Sequence, residues 1–184
     1  MSKVYTSALV IIPPKNKWAP IQKIKKQYDR QVNRWMPHIT LLFPFRPEHL
    51  FNKIYDDFKN TCKKINSFSI SFKEVKSFTH GKNNHTIWLS PEPEKLIKDL
   101  QERLLSLAPD CDDVNNHIKG YTPHLSPGQL KASKGDLTKL INRFQEKWRP
   151  IVFLAEKFAF ISREIGKYDR FKVKKEIFLK SFTI

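Results

Sequence analysis

The sequence predicts a fold of mixed helices and strands in which two similar lobes face each other across a cleft. Three observations predict it. Strand-like and helix-like stretches alternate along the whole chain, a short His-aliphatic-Thr/Ser segment occurs twice, and the element order after each copy is the same. A chain of 184 residues suits one domain with a sizeable core. Hydrophobic residues make up 40%, aromatics 12%, and 14 of the residues are Phe, so composition excludes a disordered chain. Gly is scarce at 5 and no stretch is of low complexity, so residues 1–184 read as a single domain made of two pseudo-symmetric lobes.

Residues 4–12 are β-rich and apolar, and read as a central strand ended by Pro13-Pro14. Trp18, Ile21, Ile24 and Tyr28 recur at helical spacing within 17–31. Pro37 breaks that helix, and 38–43 reads as a second strand. A helix over 48–64 carries Leu50, Ile54 and Phe58, and 68–72 alternates cleanly with period two. A turn over 80–84 holding Gly81 leads to a strand at 86–90, so this pair reads as a hairpin. The second half continues with a helix over 93–107, a polar loop over 109–120 and a strand at 121–126. A further helix carries Leu137, Leu140, Ile141, Phe144 and Trp148, with Asp136 as its N-cap. Strands at 151–161 and 171–179, joined by a turn with Gly166, close the chain. The offset from His38 to His85 is 85 − 38 = 47, and that from His124 to Phe171 is 171 − 124 = 47, which reads as an internal duplication.

The formal charge of +16 is the largest bulk signal, and a basic field attracts phosphate polymers. Cys62 and Cys111 make no disulfide framework and have no partner at metal-binding spacing, which fits a reducing compartment. The apolar run at 8–12 is too short for a signal peptide or membrane span, so the cytoplasm is the default expectation.

The chemistry rests on His38-Ile39-Thr40-Leu41 and His124-Leu125-Ser126-Pro127. Residues i and i+2 of a strand share a face, so His38 lies beside Thr40 and His124 beside Ser126, with Ile39 and Leu125 anchored behind. One imidazole can take a proton from an attacking oxygen while the other protonates the leaving oxygen, since histidine titrates at about 6.5. The hydroxyls can donate to nonbridging phosphoryl oxygens. This kit calls for no metal and no cofactor. Two such segments should arise by chance in roughly one chain in a hundred at ordinary composition, and here both follow a proline, Pro37 and Pro123.

These segments resemble the paired H-x-T/S motifs of the two-histidine (2H) phosphoesterase superfamily, which includes the 2′,5′ RNA ligase-like and cyclic phosphodiesterase families. The flanks are similar too: residues 35–45 resemble the first-motif surroundings of the 2′,5′ RNA ligase-like branch, and His124 to Gln129 an H-L-S/T-x-G-Q version of the second. The resemblance implies an α+β, LigT-like fold, bilobal with a pseudo-two-fold, in which two antiparallel sheets line a central cleft and helices lie outside. It implies a metal-independent phosphodiesterase acting on 2′,3′-cyclic phosphate or 2′,5′-linked nucleotide or RNA substrates. Within the superfamily, ADP-ribose cyclic phosphate and oligouridine tails are further substrates. His124 is taken as base and His38 as acid. A 3′-end exoribonuclease and a non-catalytic nucleotide- or RNA-binding module are the alternatives. A nucleotide or RNA is the expected partner, with the chain a monomer and no membrane involved.

Pro127 cannot donate to a ladder, so the second motif strand should end or bulge there. Tyr121 and Trp35 are candidates for stacking on a base. Arg34, Arg46, Lys119 and Lys131 flank the motifs and read as solvated charges in reach of outer phosphates. Gly128 and Gln129 are expected to shape a turn after the second motif, and His49, His80, His85 and His117 read as surface histidines.

Overall fold

The computed structural model describes residues 1–116, 120–166 and 169–181. An apolar run must be covered on both faces, and strand β1 (Ser7–Ile11) is buried at every position. It lies between β2 (Ile39–Leu42) and β7 (Lys157–Ser162), both antiparallel to it, and β8 (Lys172–Phe178) adds to β7. The first sheet therefore runs β2-β1-β7-β8. The second is founded on the long hairpin of β3 (Phe68–His80) and β4 (Asn84–Glu92), which turns through Gly81 at φ 70°. β5 (Leu125–Lys131) joins β4 and β6 (Ile151–Ala155) joins β3, giving the order β5-β4-β3-β6. The α+β class and the two antiparallel sheets are as the sequence implies.

Four helices pack on these sheets among the described residues: α1 (Trp18–Tyr28), α2 (Phe51–Cys62), α3 (Glu94–Leu105) and α4 (Lys134–Lys147). α1, α2 and α3 each bury a stripe at helical spacing, as in Phe51, Ile54, Phe58 and Cys62 of α2, while α4 buries Leu137 and leaves Leu140, Ile141 and Phe144 half-buried against the core. α1 packs on β5 and α3 on β2, so each motif strand is backed by a helix from the other half of the chain. The main core joins both sheets, with Leu9, Ile11, Ile39 and Leu41 from one and Ile70, Phe72, Ile87 and Leu125 from the other. A smaller cluster of Ala8, Val10, Ala159, Ile161 and Phe171 covers the opposite face of the first sheet, with Trp35, Met36 and Phe43 packed on it.

Several boundaries differ from the sequence reading, each for a physical reason. Residues 151–161, read as one strand, are two: β6 pairs with β3 and β7 with β1, and the chain changes sheets at Glu156. Apolar Val152 and Leu154, about half exposed, mask that junction in the sequence. β3 and β4 run well beyond 68–72 and 86–90, because an irregularity between Phe72 and Glu74 shifts the register and interrupts the alternation. The N-cap of α4 is Ser133, not Asp136. Its Oγ accepts from the Asp136 backbone N–H at 3.2 Å and donates to the Asp136 carboxylate at 2.6 Å.

The duplication is real in topology but offset from the 47-residue reading. The two sheet orders match with β2 on β5 and β1 on β4, so the repeated unit is β1-α1-β2-α2 against β4-α3-β5-α4. One later strand of each half crosses over: β3, directly after α2, pairs with β4, and β7, the second strand after α4, pairs with β1. His85 on β4 and Phe171 before edge strand β8 therefore occupy unlike places.

Candidate active site

Both motif strands are the outer strands of their sheets, β2 in one and β5 in the other, and the two meet. Their burial is the same residue for residue. Pro37, Ile39 and Leu41 are buried while His38 and Thr40 are half-buried; Pro123, Leu125 and Pro127 are buried while His124 and Ser126 are half-buried. The apolar residues seat the strands in the core, and the pleat turns the imidazole and hydroxyl the other way. Each histidine stands one residue before its strand, and each ring is fixed alike. His38 Nδ1 lies 2.7 Å from the Met36 carbonyl and His124 Nδ1 2.7 Å from the Thr122 carbonyl. A carbonyl only accepts, so Nδ1 carries the proton and Nε2 holds the lone pair in the neutral ring.

Burial pushes the His38 pKa down to about 4. The Met36 carbonyl acts upward against that, Lys25 and His124 push further down, and Asp29 raises it. The mutual repulsion of the two imidazolium forms means that both rings work in one electrostatic space. Lys25 itself is buried on α1 and ion-paired with Asp29 one turn on, a contact the sequence reading missed because Lys at that position looks like a solvated face. Trp35 stacks on the His38 ring at 4.9 Å. On the other side, Phe78 meets the His124 ring edge-on at 5.2 Å and Trp88 at 6.0 Å, with Phe78 and Trp88 stacked on each other at 4.6 Å. Phe78 and Trp88 escaped the sequence reading because they sit in β3 and β4, far from either motif in sequence.

Pro127 marks a bulge rather than an end. Ile87 pairs with Gly128 and Leu89 with Leu125, so β5 carries an extra residue opposite Trp88 and then continues to Lys131. Ser126 is the first of the two bulge residues and, like His124, is half-buried, while Leu125 between them is buried. Gly128 and Gln129 are accordingly inside a strand and make no turn. Gly128 lets α1 approach, since a Cβ there would lie 2.6 Å from Tyr28 Cβ.

Other candidates lie elsewhere than expected. Tyr121 is buried, not at a rim, and its hydroxyl donates to the Thr40 carbonyl at 2.6 Å, tying the second motif segment to the first motif strand. Trp35 also stacks on Phe171 at 3.7 Å, so its ring packs the His38 loop and is not open for a base. Arg46 is buried rather than solvated. It forms a two-pronged pair with Asp110 and holds that carboxyl down to about 2, which clamps the segment after β2 to the one after α3. His85 is buried too, with Nε2 3.1 Å from the Ala132 carbonyl and Nδ1 3.1 Å from Thr79 Oγ1. His49 and His80 are exposed, as is Lys131, and Arg34 is half-buried with its carbonyl accepting from Phe171 N–H. His117 and Lys119 lie outside the described residues. Among those residues no group of three or more His, Cys, Asp or Glu is arranged to hold a metal ion.

Two His-x-Thr/Ser strands that meet at the outer edges of two matched antiparallel sheets, each with its imidazole anchored alike, are the arrangement of two-histidine phosphoesterases. The chain matches the 2′-5′ RNA ligase superfamily over residues 13–167 and belongs to it. No curated protein matches it in sequence. Solved structures share the fold at low identity. TT0787 of Thermus thermophilus is 14% identical with a TM-score of 0.66, over 96% of this chain and 98% of that one. E. coli LigT complexed with ATP is 13% identical with a TM-score of 0.62, over 97% and 99%. E. coli LigT complexed with 3′-AMP is 13% identical with a TM-score of 0.61, over 95% and 98%.

Proposed function

We propose that the chain is a phosphodiesterase that hydrolyses 2′,3′-cyclic phosphate or 2′,5′-linked nucleotide or RNA substrates by two-histidine general acid–base catalysis. The observation that carries this reading is the identical anchoring of both rings, Nδ1 to the carbonyl two residues back, on strands that meet. E. coli LigT, solved with phosphate, ATP, NADP+ and 3′-AMP, supports a nucleotide phosphate as the occupant. His38, kept neutral at physiological pH by burial, suits the base, which reverses the assignment made from the sequence. Its Nε2 takes a proton from water as the water oxygen attacks phosphorus. The bond from phosphorus to a ribose oxygen breaks, and His124 gives that oxygen a proton. The Thr40 and Ser126 hydroxyls donate to the nonbridging oxygens, where negative charge grows. Nothing in this sequence of proton transfers needs a metal. Buried free thiols at Cys62 and Cys111 support a reducing, cytoplasmic setting. Among the described residues no helix is long and apolar enough to cross a membrane.

The test is turnover in EDTA on 2′,3′-cyclic nucleotides, 2′,5′-oligoadenylate and 3′-tailed RNA. His38→Ala and His124→Ala should each lower kcat by roughly 10²–10⁴-fold while nucleotide binding stays measurable. Full activity in either variant refutes the mechanism. Tight nucleotide binding without turnover on any substrate would instead make the chain a binding module.

A further inference from the structure

Beyond His124, on the second sheet, lies a groove of about 480 Å³ that the two-histidine chemistry does not use. Arg30 from the loop after α1 lines it, together with His80, Asn84, Thr86, Gln129 and Lys131 at the far ends of β3, β4 and β5. Strand register places these side chains. Lys76 is opposite Trp88, Phe78 opposite Thr86, His80 opposite Asn84, Thr86 opposite Gln129 and Asn84 opposite Lys131. Directly opposed residues share a face, so His80, Asn84, Thr86, Gln129 and Lys131 all lie on the face that carries Trp88 and Phe78. His124 is on that face as well, since its ring contacts both.

The floor is continuous. The His124 and Phe78 rings are 5.2 Å apart, and those of Phe78 and His80 6.5 Å. Along the strands, at about 3.4 Å per residue, the basic end lies roughly 15–20 Å from the catalytic histidine. The lining chemistry is that of an anion site. No carboxylate lines the groove, and among the described residues neither Arg30 nor Lys131 enters an ion pair. His80 is exposed and held by its Nε2 at 3.1 Å from Thr86 Oγ1, while Asn84 and Gln129 add amide donors at the surface. Two uncompensated cations beside neutral donors create a local excess of positive potential in a concave place, where a phosphodiester is favoured over a neutral ligand.

We propose that this groove holds the phosphates of nucleotides adjoining the scissile one, so that the substrate is a single-stranded RNA rather than a mononucleotide. This rests on the phosphodiesterase reading above. The groove is reached from His124 across a single aromatic ring, so a strand with its reacting phosphate at the histidines can run along the sheet towards Arg30 and Lys131. A mononucleotide leaves it empty.

The test compares kcat/KM on a 2′,3′-cyclic mononucleotide with that on a short RNA carrying the same cyclic end, for the wild type and for Arg30→Ala/Lys131→Ala. The wild type should favour the RNA by about tenfold or more, and the double substitution should lower that ratio about tenfold. Binding is read separately, by anisotropy of a labelled RNA ending in a 3′-phosphate across a salt series. Loss of two phosphate contacts should reduce the slope of log K against log salt by about 1.4. Turnover with equal use of both substrates, or an unchanged ratio and salt slope in the variant, overturns the groove and leaves the phosphodiesterase reading standing. No turnover on either substrate, with RNA binding that the substitutions weaken, sinks the catalytic reading and keeps the groove.

Discussion

At the residue scale, His38 shows how surroundings decide what a side chain does. In water an imidazole titrates at about 6.5. Here burial, with Lys25 and His124 nearby, takes it down to about 4, so the ring is neutral at pH 7. Two consequences follow with definite sign. As the base, His38 stays competent until the pH nears 4, so the acid limb of kcat/KM, which reports the free enzyme, should fall there. A limb set by His38 between 6 and 7 would show that the ring is not desolvated in solution. Stability moves the same way. The unfolded chain protonates this histidine below about 6.5 and the folded one only near 4, so stability is lost as pH falls through that window, by roughly 2–3 kcal/mol. Denaturation by urea at pH 7 and pH 4.5 on the wild type and His38→Gln separates this contribution from the rest. The histidine pair and its hydroxyls were legible in the sequence because their spacing is local. The fates of His85 and Arg46 were not, since both are buried by elements distant in sequence, β5 with Ala132 in one case and Asp110 in the other.

At the element scale, β5 carries more than the motif. Its bulge at Ser126-Pro127 faces Trp88, and one residue on Gly128 lets α1 sit directly on the strand. Tyr28 Cβ would lie 2.6 Å from a Cβ at this position, with the Tyr28 backbone at 3.5 and 3.6 Å. Gly128→Ala therefore forces the end of α1 outward and should cost about 1–3 kcal/mol in urea unfolding. Because the chain passes from α1 directly into the segment that bears Trp35 and His38, kcat should drop as well. A variant as stable as the wild type would show that α1 does not pack this closely. Neither the bulge-to-helix contact nor the split of residues 151–161 into β6 and β7 has a local signature. Pro127 announced the bulge by its missing donor, while Glu156 is an ordinary residue at which the chain leaves one sheet for the other.

At the scale of the whole molecule, the two halves are interleaved rather than adjoined. β3 belongs to the first half and pairs in the second sheet, β7 does the reverse, and α1 and α3 each back the other half's motif strand. The Tyr121 hydroxyl completes this at the site itself, donating across to the Thr40 carbonyl at 2.6 Å. Tyr121→Phe keeps the ring in place and deletes the bond. It should cost about 1 kcal/mol, lower Tm by roughly 2–4 °C, and reduce kcat severalfold by loosening one histidine against the other. An unchanged melting temperature and rate would mean that the interleaved strands alone set the distance between the motifs.

By itself the sequence determined the mixed helix-and-strand class and the two-fold organisation, and singled out His38, Thr40, His124 and Ser126 as the candidate site, because strand pleat and helix period are local rules that a few residues suffice to express. Tertiary structure alone decided which strands are neighbours, where the repeated unit begins, that Tyr121 joins the lobes, and that Phe78 and Trp88 flank His124. It alone made His38 neutral. Desolvation and strand pairing depend on what the rest of the chain brings near a residue, and no spacing along the sequence records that.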